Sequence, residues 1–222
     1  MPQDFDVDSY NAVQKSLQSK ITLDNDVWDY YAGGWNAITY RFLTVDESDK
    51  KFTESINKAG GAPVPCERYI QERELFSFFV NGLATIESFC FAIYAIGVLV
   101  GPSKFSMSTQ RKLSNITPKN TVRKFKKGYP NEQVTKELQK LVESDEFECW
   151  KDIRNVLAHR LAPSRLIKKN LSMGRRDSQL STFWYNGIPL DANTTSLPRK
   201  WLVSTLNRLM LAAKNFVVKQ FP

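Results

Sequence analysis

Histidine and paired cysteine are nearly missing from this 222-residue chain. The only histidine is His159, and the three cysteines (Cys66, Cys90 and Cys149) include no C-x-x-C pair. A zinc site needs several nitrogen or sulfur ligands, and a disulfide framework needs an even set of cysteines. The composition therefore excludes a histidine-based metal site and gives no sign of a disulfide framework. The acidic N-terminus also lacks the pattern of a signal peptide, so we expect a cytoplasmic protein without a cofactor.

Acidic residues are missing from the middle of the chain. No Asp or Glu lies between Glu87 and Glu132, and this stretch holds eight basic residues. Residues 1–60 carry ten acids and six bases, a balance of −4. Since the net charge of the whole chain is +8, the remaining residues carry +12. A second basic run follows at 160–176.

Clustered cations attract a polyanion and release its counterions. For either run alone, a solvated surface loop is an equal alternative. The candidate nucleic-acid contacts are Lys119, Arg123, Lys124, Lys126, Lys127, Arg165, Lys168 and Lys169.

The single histidine belongs to a compact polar motif. Arg154, Asn155 and His159 lie in the run Trp-Lys-Asp-Ile-Arg-Asn-Val-Leu-Ala-His-Arg over 150–160, which we predict to be a helix ending before Pro163. Residues four apart share a helix face, so Asn155 lies beside His159. Arg154 is rotated by about 140° from His159, but its long side chain can reach the same cleft.

The chemistry of these side chains suits phosphodiester cleavage. An imidazole can take and give a proton near pH 7, and a guanidinium holds phosphate without losing its charge. Arg154, Asn155 and His159 are therefore candidate catalytic residues. Because the chain has no second histidine, chemistry that needs two protons requires another group or a second copy of the protein.

The spacing Arg154-Asn155-x-x-x-His159 resembles the R-x4-6-H signature of HEPN domains (higher eukaryotes and prokaryotes nucleotide-binding). The resemblance implies an all-α antiparallel helical bundle that forms a homodimer, with the two motifs facing each other across a shared cleft. It also implies a metal-independent endoribonuclease that acts on RNA in a toxin–antitoxin or defence setting, with an antitoxin or a nucleotidyltransferase as a separate partner. Other HEPN proteins bind nucleotides, RNA or proteins without catalysis, and this is the alternative. A structural motif in an unrelated helical protein is the third reading.

Hydrophobic periodicity predicts helices along almost the whole chain. We predict one domain over 1–222: acidic N-terminal helices over 1–60, core helices with the motif over 66–162, a basic loop or hairpin over 163–195 and a closing helix over 196–220. The individual helices are expected at 7–21, from 24 or 26 to 42 with a weak point at Gly33-Gly34, and at 47–58, 66–100, 119–127, 131–143 and 145–162. The clearest apolar stripe lies in the helix predicted at 66–100 and consists of Leu75, Phe79, Leu83, Ile86, Cys90 and Ile93.

Aromatic residues precede a turn signal in 181–190. Phe183, Trp184 and Tyr185 come before Asn186-Gly187, a pair typical of a type I′ turn. We predict a small β-hairpin or an ordered loop on the helical bundle. Its aromatic rings could stack on bases, as in single-strand binders, but fixing the loop to the bundle is the favoured interpretation.

The apolar segment 83–100 is long enough to span a membrane. Glu87 inside it would be costly at membrane depth, so we expect a buried central helix and no membrane partner. A buried carboxylate needs a partner, and Arg154 or His159 is expected if the two helices are neighbours. Glu87 is an auxiliary candidate: it either forms a simple buried ion pair or tyrosine hydrogen bond, or it orients Arg154 or raises the pKa of the imidazole. Arg160 is a second auxiliary candidate, for a phosphate or for the helix end, and Asp152 is expected to face away.

Overall fold

The computed structural model describes residues 1–18, 26–159, 163–169 and 180–221. In these ranges the fold is all-α, with eight helices and one small three-stranded sheet. The helices are α1 (Val7–Gln18), α2 (Asp26–Ala59), α3 (Pro65–Val100), α4 (Gln110–Ser114), α5 (Pro118–Gly128), α6 (Gln133–Val142), α7 (Asp145–His159) and α8 (Asn193–Gln220). The strands are β1 (Leu166–Lys169), β2 (Leu180–Trp184) and β3 (Ile188–Pro189), with a 3-10 turn at Tyr185–Gly187.

The two helices predicted at 24–42 and 47–58 form one continuous helix, α2, so the predicted break is wrong. Its apolar stripe continues without interruption, because Ile38, Phe42, Val45, Phe52 and Ile56 are all buried. Glycine costs about 1 kcal/mol in a helix interior, and burial of a long stripe outweighs that cost. At Gly34 a Cβ would lie 3.1 Å from the Phe91 ring, so the missing side chain also permits close approach to α3.

The predicted apolar stripe of α3 is confirmed. All six of its residues, from Leu75 to Ile93, are at most 2% exposed. By length and composition α3 could cross a membrane, and 67% of its most apolar stretch is buried inside the protein. The other predicted helices occur within a few residues of those expected bounds that the structure describes, whereas the predicted ends at 19–21 and 160–162 lie outside the described residues. The sequence does not predict α4 or β1.

The chain separates into two compact units, each made of several segments. Unit 1 comprises Met1–Leu43, Ala84–Glu148 and Leu202–Pro222, and unit 2 comprises Thr44–Leu83 and Cys149–Trp201. The helices α2, α3, α7 and α8 contribute residues to both units. The single domain expected from the sequence stays a prediction.

Aromatic side chains form much of the core of unit 1. Tyr10 of α1 stacks on Trp35 of α2, with ring centroids 5.2 Å apart, and the indole Nε1 donates to the Tyr10 carbonyl. Phe125 of α5 meets Phe216 of α8 edge-on at 5.8 Å. These contacts join the ends of the chain to its central helices, because large buried rings dominate core energetics.

The three strands of unit 2 form an antiparallel sheet in the order β1-β2-β3. Asn186 and Gly187 both have positive φ (54° and 81°), which confirms the predicted turn and explains its residue types. Gly61 lies against the sheet, since a Cβ there would be 2.6 Å from the Thr182 Cβ. The hairpin expected at 181–190 is therefore present, with β1 as a third strand.

Candidate functional site

The motif helix α7 has a well-defined start. The Ser144 hydroxyl accepts a hydrogen bond from the Phe147 backbone N–H at 3.3 Å, which satisfies one of the unpaired donors of the first turn. Three acids, Asp145, Glu146 and Glu148, occupy that turn and complement the positive end of the helix dipole. The helix therefore begins as the sequence predicts and carries the motif in its last two turns.

Trp150 and Ile153 fix the inner face of α7. Both are 2% exposed. The Trp150 ring stacks on Phe78 with centroids 5.1 Å apart and meets Phe79 edge-on at 5.2 Å. A Cβ on Gly82 would lie only 1.7 Å from Trp150 Cζ3, so the indole lies directly on the backbone of α3. This contact holds the helix that carries Arg154 in place.

The motif residues follow Trp150 and Ile153 along α7. Arg154 and Asn155 are half-buried, immediately after buried Ile153. His159 is the last residue of α7, four positions after Asn155, so the backbone places both on one helix face. The side chain of His159 and the whole of Arg160 lie outside the described residues. Asp152 is exposed, as expected.

Glu87 belongs to unit 1, where it is half-buried and lines a cleft of about 560 Å³. Asp29 and Arg41 line the same cleft. The Arg41 guanidinium donates to the Ala84 carbonyl at 2.8 Å and to the Ser88 hydroxyl. Glu87 thus lies at the wall of an open cleft and is not enclosed in apolar surface. Its expected pairing with Arg154 or His159 stays a prediction.

The basic helix α5 is amphipathic. It starts at the N-cap Thr117, whose side chain accepts from the Asn120 N–H, and Pro118 follows. Thr121, Val122 and Phe125 are buried. The five basic candidates lie away from this face, four exposed and Lys124 half-buried: Lys119, Arg123, Lys124, Lys126 and Lys127. Lys119 also pairs with Glu148 at 2.9 Å. The outer face of α5 is therefore a cationic surface, as the sequence predicts.

Arg165 does not fit the role of a phosphate contact. Its side chain is only 3% exposed and its Nε donates to Glu72 at 2.8 Å. Its Nη1 donates to Gln71 Oε1 at 2.6 Å and to the Gly61 carbonyl at 3.0 Å. Burial lowers the pKa of the Arg165 guanidinium, and the neighbouring Glu72 opposes this effect. We therefore remove Arg165 from the candidate nucleic-acid contacts, because its donors serve the protein interior.

Lys168 stays a candidate for that role. It is exposed on β1, and its Nζ lies 5.0 Å from the centroid of the Phe183 ring. The side chain of Lys169 lies outside the described residues. Arg165 and Lys168 are thus near neighbours in sequence with opposite environments, which charge counting alone does not reveal.

The aromatic run of the hairpin divides between two roles. Trp184 is 1% exposed and stacks on Phe79 at 5.7 Å, so it fixes the hairpin to α3, which was the favoured interpretation. Phe183 and Tyr185 are half-buried and line a cleft of about 270 Å³. The alternation of side chains along β2 separates Trp184 from Phe183, and Tyr185 follows in the 3-10 turn.

Metal ligands are not clustered in the part of the chain that the structure covers. No group of three or more His, Cys, Asp and Glu residues there could hold a metal ion. Cys66 and Cys149 are exposed and Cys90 is buried, and no disulfide joins these three described residues.

No protein-family model matches the chain, and no curated protein or solved structure matches it either. The likeness to HEPN domains rests on Arg154, Asn155, His159 and the residues around them.

Proposed function

We propose that the protein is a metal-independent endoribonuclease of the HEPN type, which acts as a homodimer on RNA. One observation carries the proposal. Arg154, Asn155 and His159 occupy the last two turns of α7, and this helix is fixed by the buried Trp150 and Ile153. A rigid helix is a suitable support for catalytic groups, since reacting groups must be held within fractions of an ångström.

The RNA supplies its own nucleophile in this mechanism. The 2′-OH attacks the adjacent phosphorus and the bond to the 5′ oxygen of the next nucleotide breaks, which leaves a 2′,3′-cyclic phosphate and a 5′-OH. His159, from one or both protomers, moves the proton as general base or general acid. Arg154 stabilises the charge that develops on the phosphoryl oxygens, and Asn155 hydrogen-bonds a phosphate oxygen or orients the imidazole.

Two cationic regions would hold the RNA. The outer face of α5 carries four exposed basic residues, and Lys168 lies beside the partly exposed Phe183 ring. Exposed lysine and arginine bind the phosphate backbone without sequence preference, and a neighbouring aromatic ring stacks on a base. Binding is therefore expected to weaken steeply as the salt concentration rises.

The test compares motif variants on single-stranded RNA. His159→Ala and Arg154→Ala should each lower the cleavage rate by about a hundredfold or more, as the loss of a well-placed catalytic donor does. Exposed Asp152→Asn, on the same helix, is the matched control and should cleave like the wild type. The products should carry a 2′,3′-cyclic phosphate, and a substrate with one 2′-deoxy nucleotide should resist cleavage at that position.

Undiminished cleavage by purified His159→Ala protein would remove the catalytic proposal. A stable RNA complex without turnover at any pH would favour the alternative, a non-catalytic HEPN module that binds RNA or nucleotides. Melting temperatures of all variants show whether the fold is retained, so that a loss of activity is not mistaken for unfolding.

A further inference from the structure

A second cleft in unit 1 has a lining whose charged residues are all cationic. It has a volume of about 320 Å³ and contains Lys112, Arg123 and Lys124. Its neutral polar residues are Ser106, Asn115 and Asn120. No Asp or Glu is among the described residues that line it. We call it the Lys112 cleft.

The sequence explains why this cleft has no carboxylate. Its lining residues all lie between Glu87 and Glu132, the stretch that contains no acid and eight bases. The fold brings α5 and the segment 106–116 together, so both sides of the cleft come from the acid-free stretch. Three like charges gathered in one concave site raise the local positive potential.

Two donors of the Lys112 cleft, Lys112 and Asn120, are held in place by hydrogen bonds. The Lys112 ammonium donates to the hydroxyls of Ser106 at 2.9 Å and Ser108 at 3.1 Å. Both acceptors are neutral, so they fix the ammonium without cancelling its charge. The Asn120 amide donates to the Asn115 carbonyl at 2.8 Å. A preorganised set of donors loses less entropy when a ligand binds.

No carboxylate among the described lining residues offsets the three positive charges of the cleft, so the cleft favours a small anion of high charge. We propose that the Lys112 cleft binds a phosphate monoester group. A phosphate monoester carries a charge of about −1.5 to −2 at pH 7 and three strong acceptor oxygens, which matches two ammonium groups and one guanidinium. A phosphodiester carries one charge and leaves more of the cluster uncompensated.

Apolar surface lies beside the cations. Tyr94 and Ile116 complete the lining, and the Tyr94 hydroxyl donates to the Ser106 carbonyl at 3.5 Å. This wall can contact the organic part of the ester. The phosphate could belong to a free nucleotide or to the 5′ end of an RNA strand, because both present the same chemistry. The inference does not rest on the proposed nuclease activity, since none of the lining residues belongs to the motif.

The test measures binding of inorganic phosphate and adenosine 5′-monophosphate by calorimetry or NMR titration at fixed ionic strength. Lys112→Met and Lys124→Met should each weaken binding by about tenfold or more, as expected for loss of a hydrogen bond between charged groups. Lys136→Met is the matched control: it removes the same charge from exposed α6 surface outside the cleft and should bind like the wild type. Dimethyl phosphate, a diester, should bind more weakly than methyl phosphate.

Two further arms complete the experiment. A 5′-phosphorylated oligoribonucleotide that binds more tightly than both the mononucleotide and the same oligoribonucleotide with a 5′-OH identifies an RNA end as the source. Equal binding of the two oligoribonucleotides identifies a free nucleotide. His159→Ala should retain phosphate binding, which separates this inference from the nuclease proposal. Equal weakening by Lys136→Met, unchanged binding by both cleft variants, or no binding of any phosphate probe would overturn it.

Discussion

The indole of Trp150 lies on the backbone of Gly82, so close that a Cβ on Gly82 would be 1.7 Å from Cζ3 and 2.1 Å from Cη2. No side chain larger than hydrogen fits between them. Trp150 is one turn before Arg154 on α7. The position of the motif helix therefore depends on a residue of α3 that the sequence motif does not contain.

Gly82→Ala is expected to destabilise the protein and to reduce motif-dependent activity. Overpacking a core costs about 1–3 kcal/mol, and more where neither partner can move. Gly33→Ala is the control, since a Cβ at Gly33 has nothing within 4 Å. This variant should be more stable than the wild type by about 0.5–1 kcal/mol. Chemical denaturation measures both effects.

A double variant tests whether the clash itself is the cause. Phenylalanine lacks the second ring that contributes Cζ3 and Cη2, so Trp150→Phe should relieve the Gly82→Ala clash. The double variant should be more stable than the sum of the single effects predicts. Simple additivity would show that the Gly82–Trp150 contact is not the source of the loss.

Arg165 and Lys168 should respond to substitution in opposite ways. Arg165→Met leaves Glu72 without its closest cation and breaks bonds to Gln71 and Gly61. We expect a loss of about 1–3 kcal/mol, the cost of leaving polar groups without their partners, because Glu72 is 21% exposed and keeps Arg68 at 3.8 Å. Lys168→Met, at an exposed position, should leave the melting temperature unchanged and weaken RNA binding. An unchanged melting temperature for Arg165→Met would contradict the structural role.

Asp49 should make the stability of the protein depend on pH. Burial raises the pKa of the Asp49 carboxyl, against the effects of Thr195, Arg199 and Lys50, and Asp46 raises it further. Its Oδ1 is buried without a hydrogen-bond partner among the residues described. The folded state therefore holds this proton more tightly than the unfolded state, so the contribution of Asp49 to stability falls as pH rises above about 4.

Asp49→Asn removes this effect. The variant should gain stability relative to the wild type as pH rises from about 4 to 7, measured by urea denaturation at each pH. Exposed Asp152→Asn should show no such trend. A difference between Asp49→Asn and the wild type that does not change with pH would disprove the assignment.

Complementation tests whether the proposed nuclease site is shared between protomers. A mixture of inactive His159→Ala and Arg154→Ala proteins should recover cleavage after subunit exchange, because a heterodimer contains one site with Arg154 from one protomer and His159 from the other. If each protomer holds a complete site, the mixture stays inactive. The cleavage rate per wild-type protomer should also decrease when the protein is diluted below the concentration at which the dimer dissociates.

Local pattern determined the elements of this fold. The stripe from Leu75 to Ile93 specified α3, the pair Asn186-Gly187 specified the hairpin turn, and the acid-free stretch specified a cationic α5. Periodicity and turn chemistry are properties of neighbouring residues, so they can be read from the chain directly. The break predicted after Phe42 was wrong because the buried stripe continues through it, from Phe42 to Val45, Phe52 and Ile56.

Long-range contacts decided the rest. The sequence cannot show that Arg165 is buried against Glu72 while Lys168 faces solvent, or that Lys112 joins Arg123 and Lys124 in one cleft. It also cannot show that Trp150 requires Gly82. Each of these relationships joins residues far apart in the chain, and only packing of the helices determines which charges are compensated and which remain available to a ligand.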